Sequence, residues 1–271
     1  MQESRVTRSA LSNFNIMAKA WRRRLAQIPF AKKAWCWGDD FLKAMRFWIN
    51  KTEPKEQYNL FESCQSLEDY FQFAGQLFRP HQIKHEILNF LEFARSEQPE
   101  QVCEIGTADG GTNFLLSQAL PSTRLMIGID LYVKNSSKLH YFSRANQQLN
   151  FINGSSSAKF TIGKVKQILA EKKLDLLFID GDHSYDGVKQ DFLNYRHLVR
   201  DGGLIIFHDI VPDYLTRYGI QTDAWVGDVP RFWSKVKSLY PHYEFVENPG
   251  QDGRGIGAIR YSAQIAVPED L

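Results

Sequence analysis

The sequence predicts an α/β protein, with a doubly wound, mostly parallel sheet of seven strands and a helical extension before it. Three observations carry this. From about residue 102 to 261, short apolar runs alternate with helix-period segments, the pattern of a parallel sheet covered by helices on both faces. Five of the runs end on Gly, Asp, Ser or His, polar groups that such a fold gathers at the carboxyl ends of its strands. The last two runs have no helix between them, so they should form a hairpin with one strand antiparallel to the rest.

The 271 residues are 43% apolar and 24% charged, an ordinary globular composition. Cys36, Cys64 and Cys103 are an odd set without close spacing, which excludes a disulfide framework and a zinc pattern. A reducing, cytoplasmic location is the default. No apolar run reaches the ~18 residues of a membrane span. The first residues lack an uninterrupted apolar stretch of the secretory kind.

The net charge of +2 hides an asymmetry. Residues 1–51 hold 11 Lys/Arg against 3 Asp/Glu, a net of +8, leaving −6 for the other 220 residues. Trp21, Trp35, Trp37 and Trp48 also fall there, so the composition changes near residue 52. Residues 1–64 read as a basic, aromatic helical extension and linker, and residues 65–271 as the main domain. Leu11, Phe14, Met17, Trp21, Leu25 and Ile28 line one helical face up to Pro29. A second helix starts at Asp39 or Asp40 and turns Phe41, Met45 and Trp48 inward. Packing on the main domain, or on a second subunit of a homo-oligomer, is the preferred reading of this pair. A peripheral contact with an anionic membrane surface is the sharper one. A nucleic-acid partner is not expected.

Residues 52–64 carry the turn and charged residues of a linker. Ser66 can cap a helix holding Tyr70, Phe71 and Ala74. Pro80 suits a helix first turn, with Ile83, Ile87, Phe90, Leu91 and Ala94 repeating behind it. Strands then follow at 102–105, 125–129, 151–152, 174–179 and 204–207, the last entered through a turn at Gly202–Gly203. Helices lie between them at 112–120, around 137–148, at 161–171, and from Tyr185 to Leu198. A last helix covers about 229–240, and the final strands are 243–246 and 255–261.

The stretch VCEIGTADGGT, Val102–Thr112, is the informative strand end. Gly106, Gly110 and Gly111 form a turn that can bring backbone N–H groups and a helix N-terminus against a ligand. The spacing is not that of a dinucleotide fingerprint, and no P-loop Lys is present. Asp130 ends the second strand 24 residues beyond Gly106, where an acid can accept both hydroxyls of a ribose or simply serve a turn. Ser155 and Ser156 follow the third strand, Asp180 ends the fourth, and His208–Asp209 end the fifth.

The runs EIGTADGG, GIDLY, LLFIDGDHSYDGVKQDF and GGLIIFHDIV resemble the class I S-adenosylmethionine-dependent methyltransferases. The closest likeness is to the branch of cephalosporin-hydroxylase-type and macrolide or sugar O-methyltransferases, and it covers about residues 80–261. It implies a Rossmann-like sheet and S-adenosylmethionine as cofactor. By that resemblance Glu104, Gly106, Thr107, Asp109 and Gly110 surround the methionine part of the cofactor. Asp130 holds the ribose, Leu131 lies beside the adenine, and Ser155 and Ser156 line it, with Ser155 standing where the family has an acid.

The chemistry this resemblance implies is in-line methyl transfer from a sulfonium to a hydroxyl. That hydroxyl needs a base, or a metal that lowers its pKa. The resemblance to metal-dependent members gives Asp180 and Asp209 as ligands for Mg²⁺ and His183 as base. This chain has His208–Asp209 where those members have two oxygen ligands. Either Asp180 and Asp209 hold the metal with His208 at the side, or His183 or His208 works without one. Asp182 reads better as a capping acid for the helix near Ser184. The aromatic and acidic segment 211–229, with Tyr214, Tyr218, Asp223, Trp225 and Asp228, suits a small-molecule or glycan acceptor. Two other functions fit parts of the pattern. One is a non-catalytic adenosine-ligand module acting through the N-terminal helices. The other is an NAD-linked oxidoreductase, which the glycine spacing disfavours.

Overall fold

Gln101–Ile105 (β1), Leu125–Asp130 (β2), Gln148–Asn153 (β3), Leu174–Ile179 (β4), Val199–His208 (β5), His242–Phe245 (β6) and Ile256–Arg260 (β7) form one sheet. In the computed structural model, which describes residues 53–268 and 271, its order is β3-β2-β1-β4-β5-β7-β6. Strands β1 to β5 pair in parallel, while β7 runs antiparallel to both β5 and β6. This is the Rossmann-like arrangement with the expected terminal hairpin. The basic stretch 1–51 lies outside the described residues, and with it the two expected helices and the membrane and subunit readings.

Nine helices among the described residues cover the sheet: Glu53–Glu62 (α1), Leu67–Leu77 (α2), Lys84–Ser96 (α3), Gly111–Gln118 (α4), Ser136–Tyr141 (α5), Lys159–Leu169 (α6), Tyr185–Tyr195 (α7), Tyr214–Tyr218 (α8) and Val229–Val236 (α9). Successive strand residues point to opposite faces. Accordingly Cys103, Ile105, Leu177, Ile205 and Phe207 pack with Val165 of α6, Phe192 of α7 and Trp233 of α9. Val102, Met126, Leu176, Phe178 and Ile206 pack with Phe73 of α2, Phe90 of α3 and Phe114 of α4.

Several local expectations are corrected. Residues 53–62 are helical rather than linker, because Phe61 of α1 enters a buried aromatic cluster and lies 5.4 Å from Phe142 and 5.9 Å from Phe114. Ser66 does cap α2. Its Oγ accepts from Asp69 N at 3.1 Å while Asp69 accepts from Ser66 N at 2.9 Å, a reciprocal capping box. Helix α3 starts at Lys84, not at Pro80. The chain at Pro80 instead packs against Gly111, where a Cβ would sit 2.3 Å from Pro80 N. Strand β3 begins at Gln148, so α5 ends early. The polar Gln148 and Asn150 escaped the apolar pattern because β3 is an edge strand. Gly202–Gly203 lies inside β5, where the register against β4 shifts, rather than in a turn before it.

Candidate active site

The Gly-rich turn after β1 has a steric cause. Gly106 adopts φ 93°, and a Cβ on it would lie 1.8 Å from the Asp180 carbonyl oxygen. Only glycine lets the ends of β1 and β4 approach this closely. Gly106 N donates to Ile129 O at 2.8 Å and Asp180 N to Ile105 O at 2.8 Å, so the ends of β1, β2 and β4 are tied together. Asp130 fastens the turn from the other side. Its Oδ2 accepts from Ala108 N and its Oδ1 from Tyr132 N, each at 2.9 Å. Each oxygen keeps a lone pair, so the turn role and a ribose role are compatible.

Glu104 is almost fully buried beneath this turn, and its Oε2 accepts from Asn113 Nδ2 at 2.9 Å. Burial pushes its carboxyl up to about 8. Asp109 faces Lys134 Nζ at 3.1 Å and His81 Nε2 at 3.7 Å. Those neighbours, His81 foremost, lower it to about 2. Thr107 is buried, and Gly110 at φ 91° opens α4. Leu131 is 62% exposed beyond β2 and free to cover a flat ligand. Ser155 Oγ is 2.8 Å from Ser157 Oγ, and Ser156 O accepts from Tyr195 Oη at 2.8 Å. The two serines thus border the same strand end without touching the acid cluster described next.

Asp180, His183, His208 and Asp209 converge where β4 and β5 end. His208 Nδ1 lies 3.2 Å from Asp180 Oδ1 and 3.5 Å from Asp209 Oδ1. His183 Nε2 lies 3.5 Å from Asp180 Oδ1, and its Nδ1 lies 3.4 Å from Asp209 Oδ2 and 3.1 Å from Trp225 O. Burial opposes the Asp180 charge, but His208 and His183 hold it well below the usual carboxylate range. Burial likewise opposes charge on the histidines. Asp180 and Asp209 outweigh it, raising His183 above its ordinary value and His208 to about 9. Burial raises Asp209. The two histidines differ in access: His208 is 2% exposed, whereas the His183 side chain is 14% exposed. Asp209 sits at φ 60°, a left-handed conformation uncommon outside glycine and an identifiable source of strain at this strand end.

The segment after β5 folds back over this cluster. The Trp225 ring stacks on His183 at 4.8 Å and 15°, and Asp228 N donates to His183 O at 2.8 Å. A Cβ on Gly227 would come within 2.3 Å of that same oxygen. Asp182 is a local acid: its Oδ1 accepts from Ser184 N at 2.8 Å, and the cap of α7 itself is Ser184, which accepts from Gly187 N.

Gln82 was not legible in the sequence. Its Nε2 donates to Asp180 Oδ2 at 3.1 Å, and its Oε1 accepts from Thr112 Oγ1 at 2.7 Å. It comes from the segment before α3, 98 residues from Asp180, and nothing local marks it. Asn113, on Glu104, was missed for the same reason.

Asp180, His183 and Asp209 each offer a ligand atom, and these atoms lie within 4.8 Å of one another. Asp209 Oδ1 is buried without a hydrogen-bond partner among the described residues. Two carboxylates, one of them with an unsatisfied oxygen, and an imidazole fit a divalent cation.

Residues 103–210 match the family model described as a methyltransferase domain. A putative caffeoyl-CoA O-methyltransferase from Staphylococcus aureus aligns at 18% identity and TM-score 0.52, over 78% of this chain and 100% of that one. The MycE methyltransferase of the mycinamycin biosynthetic pathway, solved with Mg, SAH and mycinamycin VI, aligns at 16% identity and TM-score 0.51, over 76% and 58%. At these identities the likeness is one of fold. An uncharacterized protein, y4gI, from Sinorhizobium fredii (strain NBRC 101917 / NGR234) is 24% identical over 169 residues, 59% of this chain. The chain spans 17% of that relative's length. Residues 103–210 thus match a methyltransferase domain, and the strand order and the Gly-rich turn after β1 give the chain the Rossmann-like fold of such domains.

Proposed function

We propose that this enzyme moves the methyl group of S-adenosylmethionine to a hydroxyl on a small molecule or glycan. The observation that carries the proposal is the convergence of Asp180, His183, His208 and Asp209 at the ends of β4 and β5, next to the Gly106 turn. Asp130 and the turn residues hold the cofactor's ribose and methionine ends, with Leu131, Ser155 and Ser156 along the adenine.

Of the two histidines, His183 is the base, because His208 is sealed between two carboxylates. When His183 Nδ1–H donates to Trp225 O, Nε2 is unprotonated and can take up a proton. The acceptor oxygen attacks the methyl carbon, the carbon–sulfur bond breaks, and its electron pair stays on sulfur as S-adenosylhomocysteine. The hydroxyl proton passes to His183 Nε2, where Asp180, 3.5 Å away, stabilises the imidazolium. His208, held charged, offsets the two carboxylates. A divalent cation held by Asp180, Asp209 and His183 would supply Lewis acidity to the acceptor oxygen. His183 as a ligand and His183 as a base are then alternative uses of one imidazole.

Calorimetry with S-adenosylmethionine tests the cofactor half: binding should be micromolar and weaken at least tenfold in Asp130→Ala. Turnover on a panel of hydroxylated compounds tests the base. His183→Ala should keep cofactor affinity and lose ~10²–10⁴ in rate. Undiminished turnover would remove His183 from the chemistry, and absent binding would sink the cofactor assignment.

A further inference from the structure

A groove of about 450 Å³ lies beside the catalytic cluster, within the ~300–1,000 Å³ range of small-molecule sites. One wall is Ile210, Val211 and Pro212, the residues that leave β5 directly after Asp209. The opposite wall is Trp233 of α9 with Val246. Val246 stands at the level of the cluster. His208 and Phe245 both pair with Ile256 of β7, from opposite sides, so β5 and β6 run in the same direction and end together. The groove thus lies at the same end of the sheet as the cluster, and its first wall begins one residue beyond Asp209.

Its surface is mostly proline and aliphatic, and its charges are few. Lys237 Nζ and Glu244 Oε1 are paired at 2.8 Å and neutralise each other. Arg217 also lines the groove, and no carboxylate pairs with it among the described residues. An apolar groove with one uncompensated guanidinium is complementary to an apolar body that carries an anion. The guanidinium fork matches a carboxylate or a phosphate.

We propose that this groove binds the non-reacting end of the acceptor, an apolar body whose carboxylate or phosphate pairs with Arg217. The assignment to the acceptor rests on the methyl-transfer reading above. Binding energy gained there would orient the hydroxyl at His183.

The test uses the full chain and calorimetry, with 2-naphthoate and 2-naphthyl phosphate as anionic probes and 2-naphthalenemethanol as the neutral control. Both anions should bind at least tenfold tighter than the control, and the tighter of the two identifies the headgroup. Arg217→Ala should erase the preference. Ser234→Trp, a change at an exposed position of α9 that fills the groove, should abolish binding of all three. In turnover with paired anionic and neutral hydroxyl compounds, Arg217→Ala should lower kcat/KM for the anionic members far more than for the neutral ones. Equal binding of neutral and anionic probes, or binding that survives Ser234→Trp, overturns the proposal. S-adenosylmethionine binding is measured in the same variants and should be unchanged. Failure of cofactor binding with intact probe binding would strike the methyl-transfer reading and leave the groove standing.

Discussion

Glu104 is an acid kept from water, with 1% exposure, on a strand whose neighbours are apolar. Burial costs the charged form more than Asn113 restores, and its carboxyl rises from 4.5 to about 8. The fold therefore holds a proton that the unfolded chain releases. Stability from this residue is complete below about pH 4.5 and is lost as pH climbs toward about 8. Glu104→Gln keeps the shape and cannot ionise. Its advantage over wild type in urea unfolding should be smallest near pH 4.5 and grow by at most ~1.4 kcal/mol per pH unit, levelling off above pH 8. An advantage that does not change with pH would mean that Glu104 ionises normally. Gly106 fails in another way. Any side chain there meets the Asp180 carbonyl, and the φ of 93° adds strain. Gly106→Ala should cost ~1–3 kcal/mol from conformation alone, with further loss from the clash, and should remove cofactor binding.

Elements in this protein are held to one another by a few buried polar groups that no periodicity reveals. Glu86 of α3 is fully buried and grips the loop between β6 and β7. It accepts from Gln251 Nε2 at 2.6 Å, Gly255 N at 2.9 Å and Glu247 N at 3.4 Å. That loop in turn meets the exit of β5, where Val211 N donates to Arg254 O at 2.9 Å. Glu86→Ala leaves buried donors unpaired and should cost ~1–3 kcal/mol, more if the carboxylate is charged. Glu86→Gln, which keeps an acceptor, should recover part of that in the same denaturation experiment. The sequence places the last two strands in a hairpin and repeats Ile87, Phe90 and Leu91 at helical steps, and both readings hold. It could not mark Glu86, which falls one position before Ile87 and finds its partners more than 160 residues away. The helix limits suffered similarly. Pro80 and Gln82 obey partners at Gly111, Thr112 and Asp180 rather than local preference.

At the scale of the whole molecule, the sheet was readable because each central strand is an apolar run with a polar group at its carboxyl end. The edge strand β3 was readable only in part, since half of its residues face water or polar neighbours. The convergence of Asp180 with His208 and Asp209 followed from topology: parallel neighbours β4 and β5 must end side by side. What topology does not specify is which atoms meet. There the structure groups Asp180, His183 and Asp209 within 4.8 Å and leaves His208 sealed behind them. Two oxygens and one imidazole nitrogen suit Mn²⁺ better than Mg²⁺, which prefers an all-oxygen shell. A cation that binds only the folded state stabilises it by RT ln(1 + [L]/Kd), ~2.7 kcal/mol at a hundredfold excess over Kd. In a domain of this size that raises Tm by ~5–10 °C. Melting the full chain with increasing MnCl₂ should show such a rise, smaller with MgCl₂. Asp209→Asn should remove it while leaving the Tm increase caused by S-adenosylmethionine. Asp130→Ala should do the reverse, because Asp130 belongs to the turn and has no ligand atom in the acid cluster. If neither cation moves Tm while the cofactor does, the cluster holds no divalent metal and His183 alone must receive the acceptor's proton.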